Sequence, residues 1–445
     1  MKFIPNSSKK NNMLNEIKLE NIEELFQDIP KKIRINKLNL KDGLSQHETE
    51  MKMHEIGKMN KAFNILPNFL GGGIKPHYVP AVVKSIISRS EFYTSYTPYQ
   101  PEASQGFLQA MFEYQSMISD ITKMDIANAS LYDGATALGE AALMCSRINK
   151  RKTIVVPSNI SWEKRSILHN YIKGAGLKVK EFKYDRKSGE VDIDSLKKII
   201  DNETTGVYIE NPNFFGIFEQ NVDEIKEIIS KNNSLFIVGV NPISLGVFKS
   251  PGEYGADIVV GEGRCLGNPM DFGGSSLGIF ACRNEFLRQI PGRLIGITQD
   301  KEGKRAFCMT LQTREQHIRR GRATSNICTN EGLCALAATV YLSWLGSEGF
   351  EELSKINFAK GQQLANKITS IKGYEKVFRG THFNEFVIKV DDVFKIHKKL
   401  LKNNIHGGLI LERTFPELKD CMLFGVTELH NDEIITKLIN SLGRF

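Results

Sequence analysis

The stretch ADIVVGEGRCLGNPMDFGGSSLGIF, Ala256 to Phe280, decides how this chain is expected to fold. Asp257 to Val260 has the apolar density of a strand buried on both faces, and glycine-rich turns follow it. The stretch also lies inside a gap. No lysine occurs between Lys249 and Lys301, although the chain carries 41 lysines in 445 residues. Composition alone would place about five there.

To either side, β-like and helical segments alternate. Thr153 to Pro157, Leu177 to Phe182, Gly206 to Ile209 and Leu235 to Val240 read as strands. Trp162 to Lys173 and Ile193 to Ile200 read as helices. This order predicts a mostly parallel sheet wrapped by helices on both faces, with ligands at the carboxyl ends of its strands. A further helix is expected after Gln105, where Phe107, Met111, Tyr114 and Ile118 recur at helical spacing. Beyond residue 335 the texture changes. A helix from Leu336 to Leu345, a strand from Phe386 to Val390, a helix near Val393 to Leu401 and the segment IHGGLIL predict a smaller α+β domain. Residues 1–60 are polar and lysine-rich and read as an arm that packs on a partner or on the main body. NFLGGG, Asn68 to Gly73, reads as a turn-rich link. The expected division is therefore 1–60, 61–335 and 336–445.

Bulk properties exclude several classes. Hydrophobic content of 41% with 25% charge fits a soluble globular protein. No run of about 18 apolar residues is present, which argues against a membrane span, and the start lacks the apolar core of a secretory signal. Seven cysteines without a CxxC pair favour reduced thiols in a cytoplasm over a disulfide frame or zinc site. Cys265 reads as a spectator thiol. The net charge is +8, but basic and acidic residues alternate, so a nucleic-acid face is not expected. REQHIRRGR, Arg314 to Arg322, is the one basic exception.

Four segments carry chemistry. In EFYTSYTPYQPEASQG, Tyr93, Tyr96 and Tyr99 recur every third residue beside Pro98 and Pro101, ahead of Gln105. They form either a binding loop or a packing loop. In ASLYDGATALGEAALM, Asp133-Gly134 opens a helix whose first N–H groups could hold an anion or simply be capped. Asn211-Pro212-Asn213 is a turn after a strand. In REQHIRRGRATSNICTN, Arg319 and Arg320 precede Thr324 and Asn326. This is either a fork for carboxylates and phosphates or a basic surface helix.

Taken together, SRSEFYTSYTPYQPEASQG, ANASLYDGATAL, GEYGADIVVGEG, LGNP, FGG and TREQHIRR with ATSNICTN give a clear resemblance. Spread over residues 68 to 340, they resemble the glycine dehydrogenase (decarboxylating) P-proteins of the glycine cleavage system, and within them the subunit-1, or α, chains of the two-chain form. The resemblance implies an α/β fold of the pyridoxal-phosphate-dependent transferase type (aspartate aminotransferase type, fold type I) with a smaller C-terminal α+β domain. It implies an enzyme active only with glycine dehydrogenase subunit 2, in an α2β2 assembly. The pair removes CO2 from glycine and passes the aminomethyl group to the lipoyl arm of H-protein. In such enzymes a lysine holds pyridoxal phosphate and a carboxylate faces its ring nitrogen. Here the loop after Asp257 has no lysine, and no Asp or Glu occurs from Ser234 to Gly252. The resemblance therefore places pyridoxal phosphate on the partner, and leaves this chain with no catalytic, covalent-cofactor or metal residue. A self-sufficient enzyme would need Lys249 or Lys301, and a non-enzymatic scaffold is the third reading. Tyr93, Tyr96, Tyr99, Gln105, Asp133, Asn211, Arg319, Arg320, Thr324 and Asn326 are the candidates for a shared site or interface. At Gly321 and Arg322 the family usually shows an acidic residue and Lys, which leaves those two positions without an assigned role.

Overall fold

The computed structural model describes residues 7–35 and 37–443. Residues 1–6 of the expected arm, Asn36 and the last two residues lie outside it. The chain divides into two units, 1–61 and 62–445. The first unit is built of short pieces, among them α1 (Lys10–Glu16) and α2 (Gln46–Gly57). Helix α2 opens on a capping box. Ser45 Oγ accepts from Glu48 N–H, and the Glu48 carboxylate accepts from Ser45 N–H.

The second unit starts with α3 (Ala81–Ile87), α4 (Ser90–Tyr93) and α5 (Gln105–Thr122). Then β1 (Ile126–Ala127), α6 (Gly134–Asn149), β2 (Thr153–Pro157), α7 (Trp162–Lys173), β3 (Lys178–Phe182) and α8 (Ile193–Ile199) alternate. The series ends with β4 (Thr204–Glu210), α9 (Val222–Lys231), β5 (Leu235–Val240), β6 (Ile258–Glu262) and β7 (Gly278–Cys282). Seven strands form one sheet in the order β1-β7-β6-β5-β4-β2-β3. Strands β2 to β6 pair in parallel, and β7 pairs antiparallel with both β6 and β1.

Alternation along the strands splits the core into two faces. Val155, Val207, Ile209, Val238 and Val259 bury against α5. Ile154, Val156, Tyr208, Ile237, Ile258 and Val260 bury against α6 and α7. The four residues expected on the buried face of α5 are all in the core. A separate hairpin, β8 (Leu294–Gln299) with β9 (Arg305–Thr310), leads to the single-turn helix α10 (Gln316–Arg319).

The long helix α11 (Gly332–Thr369) follows. Its first half packs in the large-sheet core through Leu336, Tyr341 and Phe350, and its last turns pack on the small sheet through Leu364 and Ile368. The expected divide at residue 335 therefore falls inside a helix that serves both sheets. The backbone break lies at Gly346, with φ 63° and ψ −175°. The small sheet is antiparallel, in the order β10 (Glu375–Lys376), β11 (Glu385–Lys389), β13 (Cys421–Gly425), β12 (Leu409–Ile410). Helices α12 (Val393–Lys402) and α13 (Asp432–Gly443) cover one face.

NFLGGG does more than link. Gly425 N–H donates to Phe69 O (2.9 Å) and Gly71 N–H to Leu423 O (3.1 Å), so the segment joins the small sheet. Gly72 has φ +81°, and its N–H donates to Glu385 Oε1 at 2.6 Å. A Cβ there would also press on the Phe214 ring, so glycine is required twice over.

Candidate functional site

A cavity of about 200 Å³ opens at the carboxyl ends of β4, β5 and β6, where an open α/β sheet binds ligands. The start of α6, the Gly72–Lys75 segment and Glu385 of β11 complete its wall. Five carboxylates line it: Asp133, Glu163, Glu210, Glu262 and Glu385. Facing them are the cations Lys75, Lys164 and Arg264, together with His77.

Most of these charges have protein partners. Lys75 Nζ lies 3.1 Å from Glu385 Oε2, with both side chains largely buried. Lys164 pairs with Glu210, which also accepts from the Tyr208 hydroxyl at 2.8 Å. Arg264 donates to Gly273 O (3.0 Å), Gly274 O and Ser276 Oγ (3.1 Å), and so ties down the glycine turns between β6 and β7. Glu262 is held by three backbone donors: Gly134 N–H (3.1 Å), Arg264 N–H (3.0 Å) and Leu277 N–H (2.9 Å). Burial pushes the Glu262 carboxyl up, and these bonds oppose that shift.

His77 Nδ1 lies 3.0 Å from Glu428 Oε2. Burial works to raise the Glu428 carboxyl, yet bonds from His77, Tyr78 N–H and Asn357 hold it at about 2. Cys265 lines the cavity, and burial pushes its thiol up to about 12, so it is not a thiolate nucleophile at neutral pH. Among the described residues no cluster of His, Cys, Asp and Glu could hold a metal ion. No described helix is long and apolar enough to cross a membrane.

The sequence candidates divide between this cavity and the surface. Asp133 is at the cavity and caps α6, accepting from Thr136 N–H at 2.7 Å. Asn211 falls just outside. Its side chain accepts from Glu219 N–H (3.2 Å), while its neighbours Glu210, Pro212 and Asn213 line the wall. Gln105 is a tie between elements: its amide donates to Phe307 O (2.8 Å) and accepts from Phe307 N–H (2.9 Å).

The remaining candidates lie on the surface. Tyr93 is 67% exposed, Tyr96 79% and Tyr99 47%. The Tyr99 ring meets the edge of His317 at 5.9 Å and carries the Arg293 guanidinium at 5.7 Å. The tyrosine loop and the arginine segment are thus brought together, and neither is part of the cavity's lining. Arg319 and Arg320 are exposed, Thr324 N–H donates to Arg314 O at 3.1 Å, and Asn326 is exposed.

Sequence reading missed Lys75, His77, Lys164, Glu210, Glu262, Arg264 and Glu385. Glu210 and Glu262 carried a usable signal, each ending an apolar strand at the edge where ligands sit. The others reach the cavity from distant segments.

A family described as glycine cleavage system P-protein matches residues 1–442. The chain is 48% identical to probable glycine dehydrogenase (decarboxylating) subunit 1 of Pyrococcus abyssi, over 99% of this chain and 98% of that protein. The chain belongs to the glycine cleavage system P-protein family. It also superposes on a crystal structure of inhibitor-bound glycine decarboxylase (P-protein) with a TM-score of 0.90, at 36% identity over 100% of this chain and 99% of that one. A glutamate decarboxylase from Lactobacillus brevis shares the fold alone, with a TM-score of 0.69 at 10% identity over 94% of this chain and 96% of that one. The architecture is the fold type I of pyridoxal-phosphate-dependent enzymes, as the sequence resemblance implied.

Proposed function

We propose that this chain is the subunit of a two-chain glycine decarboxylase that does not hold the cofactor, and that it works only with a subunit-2 partner. Together, in an α2β2 assembly in the cytoplasm, the two chains decarboxylate glycine and pass the aminomethyl group to the lipoyl group of H-protein. Pyridoxal phosphate, which serves as the electron sink in such chemistry, is assigned to the partner.

The observation that carries this reading is the misfit between the cavity and that cofactor. The turns between β6 and β7 contain no lysine, and Arg264 ties them down instead. Lys75 and Lys164 do line the cavity, but each is paired with a carboxylate and is not a free amine. Lys249 and Lys301 are exposed and do not line it. No Asp or Glu between Ser234 and Gly252 is available to face a ring nitrogen, and Asn241 and Gly239 stand in the wall instead.

In the assembly, the surface formed by Tyr93, Tyr96, Tyr99 and the Arg319–Asn326 segment is offered to the partner chain or to H-protein. Exposed tyrosines and arginines on an irregular backbone are what a recognition surface uses. The domain arrangement that goes with this is an N-terminal arm, a large α/β body and a small C-terminal domain.

The isolated chain, mixed with pyridoxal phosphate, is expected to show no visible imine band that borohydride abolishes. The co-expressed pair is expected to catalyse glycine–bicarbonate exchange, and neither chain alone. Exchange by this chain alone would mean a self-sufficient enzyme. Full exchange by the partner alone would reduce this chain to a scaffold.

A further inference from the structure

Helix α6 runs for 16 residues and starts at the cavity, so its first N–H groups and its dipole form an anion-attracting point in the wall. That point is already filled from within. Gly134 N–H, at the first turn, donates to Glu262 Oε2 (3.1 Å), and Thr136 N–H donates to Asp133 Oδ1 (2.7 Å). The other oxygen of Glu262 takes Arg264 N–H and Leu277 N–H, at 3.0 and 2.9 Å. Three donors from three places (the start of α6, the turn after β6 and the residue just before β7) converge on one carboxylate. Gly134 lets the helix approach this closely, because a Cβ there would meet Glu262 N at 2.9 Å.

We propose that Glu262 is a built-in occupant of this anion cradle, seated where a phosphate group would otherwise be held, and that with Asp133 it makes the cavity refuse phosphorylated ligands. The carboxylate supplies the negative charge and acceptor atoms that a bound phosphate would supply. It also contributes to the cavity's excess of five carboxylates over three cations. The cradle is thus intact in shape but closed to outside anions. The selectivity resides chiefly in Glu262 at the end of β6, with Asp133 beside it, independently of whether a lysine is present.

The proposal rests on the cofactor-free reading but fails separately from it. Inorganic phosphate and pyridoxal phosphate are titrated into the full chain by calorimetry, for the wild type, Glu262→Gln and Glu262→Ser. The wild type should show no saturable binding of either at millimolar concentration. Glu262→Ser, which removes the carboxylate and frees the three N–H groups, should bind phosphate at least tenfold more tightly than the wild type. Glu262→Gln should fall between the two. Saturable sub-millimolar phosphate binding by the wild type would overturn the proposal, as would a folded Glu262→Ser chain with no gain. If Glu262→Ser does not fold, the wild-type and Glu262→Gln titrations decide: phosphate binding equal in the two, or tight in the wild type, overturns the proposal. A borohydride-sensitive imine on the wild-type chain would instead overturn the cofactor-free reading.

Discussion

The cavity at the sheet edge and the tyrosine–arginine surface hold the same kinds of residue but treat them in opposite ways. In the cavity, Lys75, Lys164, Glu262 and His77 each have a close protein partner, and most of that network is buried. On the surface, Tyr93, Tyr96, Arg319 to Arg322 and Asn326 are held by few side-chain bonds and stand in solvent. A charged network satisfied from within contributes to the fold and has little left for a ligand. Exposed aromatics and arginines contribute little to the fold and are free to contact another molecule. Where a type I enzyme does its chemistry, this chain has structure. Of the candidate residues read from the sequence, Asp133 lines the cavity and the tyrosines and Arg319, Arg320 and Asn326 are outside its lining.

That contrast makes the cavity fragile toward mutation and the surface tolerant. The largest effect is expected at Glu428. Replacing it with Ala leaves His77, Tyr78 N–H and Asn357 without their shared acceptor. Breaking such a buried pair costs about 3–5 kcal/mol. Urea unfolding should show that loss, and a change below about 1 kcal/mol would break the comparison.

The next effect follows from pH. Burial depresses two imidazoles, holding His430 at about 4 and His382 at about 3, so both are neutral in the fold. Unfolded imidazoles titrate at about 6.5, and a tenfold difference in proton affinity is worth about 1.4 kcal/mol. Between about pH 6.5 and 4 the unfolded chain therefore binds more protons than the folded one, and stability falls as pH falls. Each histidine lowers stability by up to about 1.4 kcal/mol for every tenfold rise in proton concentration across that window. Glu428 acts lower. Its depressed carboxyl contributes stability above about pH 4.3, which is lost as pH drops toward 2. Unfolding curves from pH 7 to 4 check the slope, and His430→Gln should flatten it if the variant folds. A flat profile for the wild type would mean that these imidazoles are not neutral in the fold.

On the surface the pattern should reverse. Tyr96→Ala combined with Arg319→Ala should leave stability within about 0.5 kcal/mol, the usual range for exposed substitutions. Glycine–bicarbonate exchange by the pair should fall about tenfold, which corresponds to about 1.4 kcal/mol. Unchanged exchange would remove the tyrosine loop and Arg319 from the shared site.

What the sequence revealed follows the same divide. The strands were legible because parallel strands buried on both faces read as continuous apolar runs. Thr153–Pro157 and Leu235–Val240 have the predicted bounds. The arginine and tyrosine segments were legible as chemistry because unusual residues cluster within a few positions. The cavity was not legible, because its pairs join residues far apart in the chain. Lys75 meets Glu385 and His77 meets Glu428, and no spacing rule connects them. The change of texture at residue 335 carries no backbone signal of its own. The backbone instead runs on as helix through that point and breaks at Gly346.

The smallest expected effect tests whether the surface holds strain. Arg320 has φ 52° and ψ −124°, a region that residues with a Cβ rarely adopt. Such a residue costs on the order of 1–3 kcal/mol. Glycine adopts the conformation freely but gives back roughly 0.5–1 kcal/mol through the entropy of the unfolded chain. Arg320→Gly should therefore be neutral to stabilising, by between about 0 and 2.5 kcal/mol. If the strained arginine is kept in place for recognition, the same variant should weaken exchange by the pair while melting no lower than the wild type. A variant that loses stability would mean that the Arg320 side chain is held by the fold, and would place that residue with the cavity rather than the surface.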